Sequence, residues 1–300
     1  MTIWIPGASG FVGRALTSRL QAEGQGFYRV SRRASQLADD SIFPAEALGQ
    51  RLQKEDVVIY CAGLAHTQGD PAAFHQANCD EPLAAARLAA SRGAKRFVFV
   101  SSVKVNGERT TGVPFSEHDA PAPVDMYGRS KLLGEQALWQ QARQSGMELV
   151  VVRPPLVYGP GVRANFAAMV KAVRRGMPLP LASIQNKRSL IYVENLADLL
   201  VLCARHPAAV NRVVMASDGQ DLSTPALLRL TGEALGKPAR LWPCPESVLK
   251  RGAALLGKRA VADRLCDSLQ VNDDFARDKL MWRPPFSVEE GLRRTVGGLA

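Results

Sequence analysis

Tyr127 and Lys131 stand four residues apart in "PVDMYGRSKLLGE", at the head of a segment whose apolar spacing predicts a helix. At that spacing a phenol and an ammonium share one helix face and lie within reach of each other. A phenol with its ordinary pKa of about 10 is a poor acid or base near neutrality, and a neighbouring cation favours the phenolate. The pair therefore predicts a tyrosine tuned for proton exchange, with Lys131 as the tuning cation. Upstream, the apolar run in "FVFVSSVKVNG" ends on Ser101 and Ser102. A hydroxyl at Ser102 could hold a substrate oxygen while Tyr127 exchanges its proton. The bland reading, a surface pair on a helix, loses ground only if the surrounding elements bring these groups to one place.

The N-terminus supplies such an element. "MTIWIPGASGFVG" predicts a strand, Thr2 to Pro6, running into Gly7, Gly10 and Gly13 at the start of a helix from Phe11 to about Glu23. Glycines in that strand-to-helix turn let the backbone of Gly7, Ser9, Gly10, Phe11, Val12 and Gly13 approach a pyrophosphate, which rests on free N–H groups at the helix start. After the second predicted strand, Phe27 to Ser31, come Arg32 and Arg33, with no acidic residue between Glu23 and Asp39. In a dinucleotide site an acidic residue there meets a free ribose 2′-hydroxyl, whereas arginine meets a 2′-phosphate. NADP is thereby favoured, and NAD stays open. Such a cofactor would move a hydride between nicotinamide C4 and the carbon whose oxygen Ser102 and Tyr127 hold, with Lys131 also on the ribose hydroxyls.

Apolar runs at "DVVIYCAG", "KRFVFVSS" and "MELVVVRPP" alternate with helical segments at "PAAFHQANCDEPLAAARLAASRG" and after Tyr127. Strands apolar on both faces and alternating with helices predict an α/β fold with a parallel sheet covered on both sides. We expect residues 1–160 to form the cofactor lobe, with 189–206 returning to the sheet, and residues 161–188 and 207–300 to form a smaller, irregular substrate lobe. Ligand would bind between them at the carboxyl ends of the strands.

Composition narrows the field. The chain has 300 residues, 46% of them apolar, and a formal net charge of +10. Lys and Arg are spread along it without interleaved aromatics, so a phosphate-bearing small ligand accounts for the charge and nucleic acid is not expected as a partner. No apolar run approaches the roughly 20 residues of a membrane span, the start lacks a basic region ahead of its apolar run, and neither a membrane partner nor secretion is expected. Five scattered cysteines without a C-x-x-C pair argue against disulfides and against a metal site, and fit a reducing, cytoplasmic setting.

Taken together, "GASGFVG", "DVVIYCAG", "HQANCDEP", "FVSSVKVNG", "YGRSK", "RPPLVYGPG" and "RSLIYVENLADL" run along nearly the whole chain. This set resembles the extended short-chain dehydrogenase/reductase family, the NAD-dependent epimerase/dehydratase group. The resemblance implies a Rossmann doubly wound parallel sheet for NAD(P), a smaller C-terminal α/β lobe for a UDP-sugar, and a family-typical homodimer. It implies Ser102, Tyr127 and Lys131 as catalytic residues. Ala62, Gly63, Asn78, Ser101 and Pro154 fall at cofactor positions, Asn78 as a support for the site. Lys104, Asn106, Asn165 and the diphosphate ligand Arg188 fall at substrate positions. The later arginine that often clamps the diphosphate has no clear counterpart, and Arg264 in "DRLCDSLQVN" is the substitute candidate. The usual acidic third-strand segment is shortened to "QLADDSIFP".

Within that group, "SSVKVNGE" and "SDGQDLSTPALLRLTGEALGKPARL" look most like bacterial 4-reductases of UDP-4-keto-6-deoxy-N-acetylhexosamines in O-antigen synthesis. A UDP-sugar 4-epimerase holding NAD tightly would use the same three catalytic residues. A non-catalytic NADP-binding protein on this fold would have lost Tyr127 or Lys131. A dehydratase would carry an Asp-Glu pair where Val103 and Lys104 stand. His66, beside "CAGLA", is a candidate for the sugar pocket and equally an ordinary loop histidine.

Overall fold

The computed structural model describes residues 1–31, 42–44, 46–65 and 70–298. Arg32, Arg33 and His66 lie outside the described residues. In chain order the strands are β1 (Ile3–Pro6), β2 (Phe27–Val30), β3 (Ile42–Phe43), β4 (Val57–Tyr60), β5 (Arg96–Val100), β6 (Glu148–Arg153), β7 (Leu156–Tyr158), β8 (Leu190–Tyr192) and β9 (Arg212–Met215). Seven of them form one parallel sheet in the order β3-β2-β1-β4-β5-β6-β9, and β7 pairs with β8 in a separate two-stranded sheet. The order runs outward in both directions from β1 and β4, so the crevice beyond their carboxyl ends is the switch point at which such sheets bind ligands.

Alternation along these strands fills two cores. Ile3, Ile5, Val57, Ile59, Val98, Val100, Val150 and Val152 point to one face. Trp4, Val58, Tyr60, Phe97, Phe99, Leu149 and Val151 point to the other. Both faces are dry, which is why the strands read as continuous apolar runs. Helix α1 (Phe11–Ala22) lies on the first face; α2 (Ala47–Arg51), α3 (Pro71–His75), α4 (Glu81–Ser91) and α5 (Met126–Ser145) belong to the second side. Between α3 and α4 the chain makes a π-helical turn, Gln76–Asp80, an insertion that often marks a functional site.

The second lobe comprises β7, β8, α6 (Ala164–Arg174) and, after α7 (Val193–Arg205), the helices α8 (Thr224–Ala234), α9 (Glu246–Leu255), α10 (Arg259–Cys266) and α11 (Val288–Gly297). Its core joins Tyr158, Phe166, Val170, Tyr192, Leu227, Leu292 and Val296. Segment 189–206 does not enter the central sheet as a strand. Among the described residues its strand β8 pairs with β7, while α7 does return to the first face of the sheet, packing Leu196, Leu199, Leu200 and Cys203 beside α1. The seventh strand is instead β9, expected in the substrate lobe, whose half-buried "RVVM" forms the sheet edge beside β6. Asp218 ties the two parts, accepting hydrogen bonds from the Tyr158 hydroxyl at 2.8 Å, the Asn195 amide at 2.8 Å and the Tyr192 N–H. Burial raises its pKa to about 6 even against those bonds. All five cysteines are free.

Candidate active site

The glycine turn is built for close approach. Gly7 has φ +89°, and a Cβ there would lie 2.5 Å from the Ala62 nitrogen; at Gly13 it would lie 2.2 Å from the Gly7 carbonyl oxygen. Neither site admits a side chain. Helix α1 starts at Gly10 in extended geometry with no side-chain cap, and Ser9 and Gly10 are exposed. Its first N–H groups thus face outward at the switch point, where an anionic diphosphate fits both the donors and the helix dipole. Phe11 and Val12 turn the other way and join the second-lobe core. These residues fit an NAD(P) pyrophosphate.

Helix α5 carries the reactive pair. Asp125 caps it, accepting from the Gly128 N–H at 2.7 Å, and also receives Lys104 Nζ at 2.5 Å. Burial raises the Asp125 carboxyl's pKa, but Lys104 and that N–H outweigh it and hold it below its usual range. Lys104 also reaches Glu108 at 3.0 Å. Lys104 therefore anchors the helix start beside the site. Gly128 lets α5 sit against the chain at Lys104, since a Cβ would meet that carbonyl oxygen at 2.5 Å. Gly134 does the same at the π-helical turn, 2.1 Å from the Asn78 oxygen.

Ser102 caps a 3-10 turn, Val103–Val105, just beyond β5, its hydroxyl accepting the Lys104 N–H and lying near enough to Tyr127 to act on the phenol. The sequence-based expectation for Tyr127 is corrected here. Burial pushes its phenol up to about 12, partly opposed by Ser102, and Asp125 adds to the rise. Lys131 does not lower it, because the ammonium turns inward: Nζ donates to the Val100 carbonyl at 2.9 Å and sits 4.6 Å from the centre of the Phe99 ring. A Cβ at Gly63 would fall 3.0 Å from Nζ, so the bare backbone at that position makes room for it. Burial pulls Lys131 down to about 8, opposed first by Glu135 and then by Cys61.

A buried network lies beneath. Arg153, at the end of β6, donates to Glu135 from Nε at 3.0 Å and from Nη2 at 2.5 Å, and from Nη1 to Asn106 Oδ1 at 3.1 Å. Ser101 donates to the same Glu135 carboxylate. Asn106, expected at the substrate, is 2% exposed, and its amide also donates to the Ser116 carbonyl. Its polar atoms are spent inside the protein. Ser101 is likewise buried in this network, and buried Pro154 accepts the Val103 N–H. Asn78, fully buried, exchanges hydrogen bonds with Leu64 and donates to Ser130 Oγ at 2.9 Å, stapling the loop after β4 to α5. Ala62 and Gly63 in that loop border the glycine turn and Lys131.

At the second lobe, Arg188 and Arg264 come together. Arg188 Nη1 donates to the Arg264 carbonyl at 3.0 Å and to that of Asp267 at 2.9 Å. Burial lowers the Arg188 pKa, Asp267 opposes this, and the Arg264 charge adds to the lowering. Two cations held close suit a diphosphate. Asn165 is exposed on α6. Sequence reasoning missed Glu135 and Arg153 as partners. Their signals were a carboxylate one turn beyond Lys131 and a lone charge closing an apolar strand.

A Rossmann sheet, a glycine turn at its switch point, and Ser102, Tyr127 and Lys131 gathered beside it define an NAD(P)-dependent enzyme of the short-chain dehydrogenase/reductase type. Residues 3–216 match the model of the NAD dependent epimerase/dehydratase family, and the chain belongs to it. The chain is 39% identical to UDP-glucose 4-epimerase of Vibrio cholerae, over 98% of this chain and 94% of that protein. It is 27% identical to 2-alkyl-3-oxoalkanoate reductase of Stenotrophomonas maltophilia, over 98% of each. UDP-glucuronic acid 4-epimerase of Bacillus cereus, solved with NAD, superposes with a TM-score of 0.78 at 17% identity, covering 100% of this chain and 98% of that one.

Proposed function

We propose that the protein reduces the C4 ketone of a UDP-4-keto-6-deoxy-N-acetylhexosamine with NAD(P)H, in the cytoplasm, for bacterial surface polysaccharide. The observation that carries this reading is Ser102 at the end of β5 beside Tyr127 on α5, whose phenol burial keeps raised and protonated. A reductase needs that protonated form, because the oxygen of a ketone becomes a strongly basic alkoxide as hydride arrives. When bound, the dinucleotide supplies the hydride at nicotinamide C4. Ser102 and Tyr127 hold the ketone oxygen, Tyr127 gives it a proton, and Lys131 offers its ammonium to the cofactor ribose. Arg188 and Arg264 take the sugar's diphosphate. NADP is the favoured cofactor on the ground of Arg32 and Arg33. A homodimer through α4 and α5, which leave Leu88 and Leu133 exposed, completes the reading.

A second reading, a UDP-sugar 4-epimerase, is favoured by the 39% identity to the Vibrio cholerae protein. One experiment separates them. With UDP-4-keto-6-deoxy-N-acetylglucosamine, the reductase consumes NADPH one for one and yields a single C4 alcohol by NMR. Interconversion of UDP-N-acetylglucosamine and UDP-N-acetylgalactosamine without added cofactor would establish the epimerase instead.

A further inference from the structure

The α9–α10 hairpin carries a face that the rest of the described fold does not cover. Helix α9 has no buried residue. Leu255 is 89% exposed and Leu256 75%, with Val248, Val261 and Trp242 also exposed. The hairpin is held down by its other side, where Leu249, Leu265 and Cys266 join a small core with Val173, Leu181 and Ile184. Lys250 is occupied there by Glu246 at 2.8 Å and Asp267 at 2.7 Å. Arg251 and Lys258 make no ion pair among the described residues, and Arg259 reaches Asp263 only at 3.9 Å. Between Lys237 and Arg264 the chain holds seven basic and two acidic side chains, half of its net charge of +10.

Two bare leucines at the end of α9, followed in the chain by Lys258 and Arg259, match the chemistry of a surface that lies on an anionic bilayer. Leucines enter the acyl boundary, and Lys and Arg meet lipid phosphates. A second copy of this chain would have to bring the same positive hairpin against this one, which charge opposes. No helix among the described residues is long and apolar enough to cross a membrane, so the contact is peripheral. We propose that the α9–α10 hairpin docks the protein on an anionic phospholipid surface, a departure from the expectation of no membrane partner.

The test is co-sedimentation of the full chain with vesicles of phosphatidylethanolamine and roughly one-third phosphatidylglycerol, against vesicles of phosphatidylcholine alone. Binding to the anionic vesicles should be about tenfold or more the tighter and should weaken as salt is added. Leu255→Ser with Leu256→Ser should abolish it without lowering the melting temperature or changing solution turnover, since both residues are exposed and outside the active site. Lys258→Ala with Arg259→Ala should weaken it about tenfold or more. Wild type left in the supernatant, or binding unchanged in the double serine variant, would overturn the proposal. So would a lipid-free dimer that the serine variant turns into monomer, because a second copy would then cover the face.

Discussion

Replacing Glu135 by Gln should move the alkaline limit of catalysis to lower pH. Glu135 follows Lys131 by one turn on α5 and is the largest influence opposing the burial that pulls Lys131 down to about 8. Activity that depends on the Lys131 ammonium is present below that pH and lost as pH rises through it. Unit charges about 6 Å apart at an effective dielectric near 20 interact by roughly 3 kcal/mol, or about two pH units. Arg153 already neutralises part of this carboxylate's field, so a displacement of about one pH unit is expected. The glutamine keeps the shape and can still accept from Ser101, but it leaves the Arg153 guanidinium buried without its counter-charge, at a cost of about 3–5 kcal/mol. The melting temperature should therefore fall, and assays belong well below it. The measurement is kcat/KM for the 4-keto sugar nucleotide across pH 6 to 9.5 or so, in both proteins, under buffers of constant ionic strength. A purely structural role would lower stability and leave the limb in place. An unmoved alkaline limb in the folded variant would refute the link between Glu135 and Lys131.

Tyr127→Phe should lower turnover by roughly two to four orders of magnitude while NADPH affinity, followed by fluorescence titration, barely moves. Lys131→Met should abolish turnover yet raise stability at pH 7 by up to about 3 kcal/mol, because burying the ammonium costs the difference between 10.5 and about 8. That cost is present below pH 8 and disappears as pH rises toward 10.5, where the unfolded chain also loses the proton, so the two melting curves should converge in alkali. Gly13→Ala would set a Cβ 2.2 Å from the Gly7 carbonyl oxygen; cofactor binding by calorimetry should be lost or sharply reduced. Arg188→Ala should raise KM for the nucleotide sugar with a smaller effect on kcat, and unchanged kinetics would remove it from the diphosphate site.

Much of the fold was legible in the chain because its signals are local. The glycine turn, the doubly apolar strands and the serine ending β5 each follow from neighbouring residues, and the order of strands and helices predicts a parallel sheet. The tyrosine and lysine at α5 could likewise be assigned to one helix face from spacing alone. Where the strand of segment 189–206 would pair was not local. "SLIYVENL" is apolar enough for the central sheet, but it pairs with β7 and the place next to β6 goes to β9, pairings between segments far apart in the sequence. The direction of the lysine was also undetermined. Four-residue spacing puts Tyr127 and Lys131 side by side, yet the ammonium turns to the Val100 carbonyl and the space left by Gly63, contributed by strands distant in sequence. Burial raises the phenol's pKa where spacing alone predicts a fall. Asn106 and Arg153 met the same fate, as two polar residues whose roles depended on the buried Glu135 between them. Sequence fixes which groups exist and how the chain runs locally; desolvation and partner choice arise only when remote segments exclude water around them.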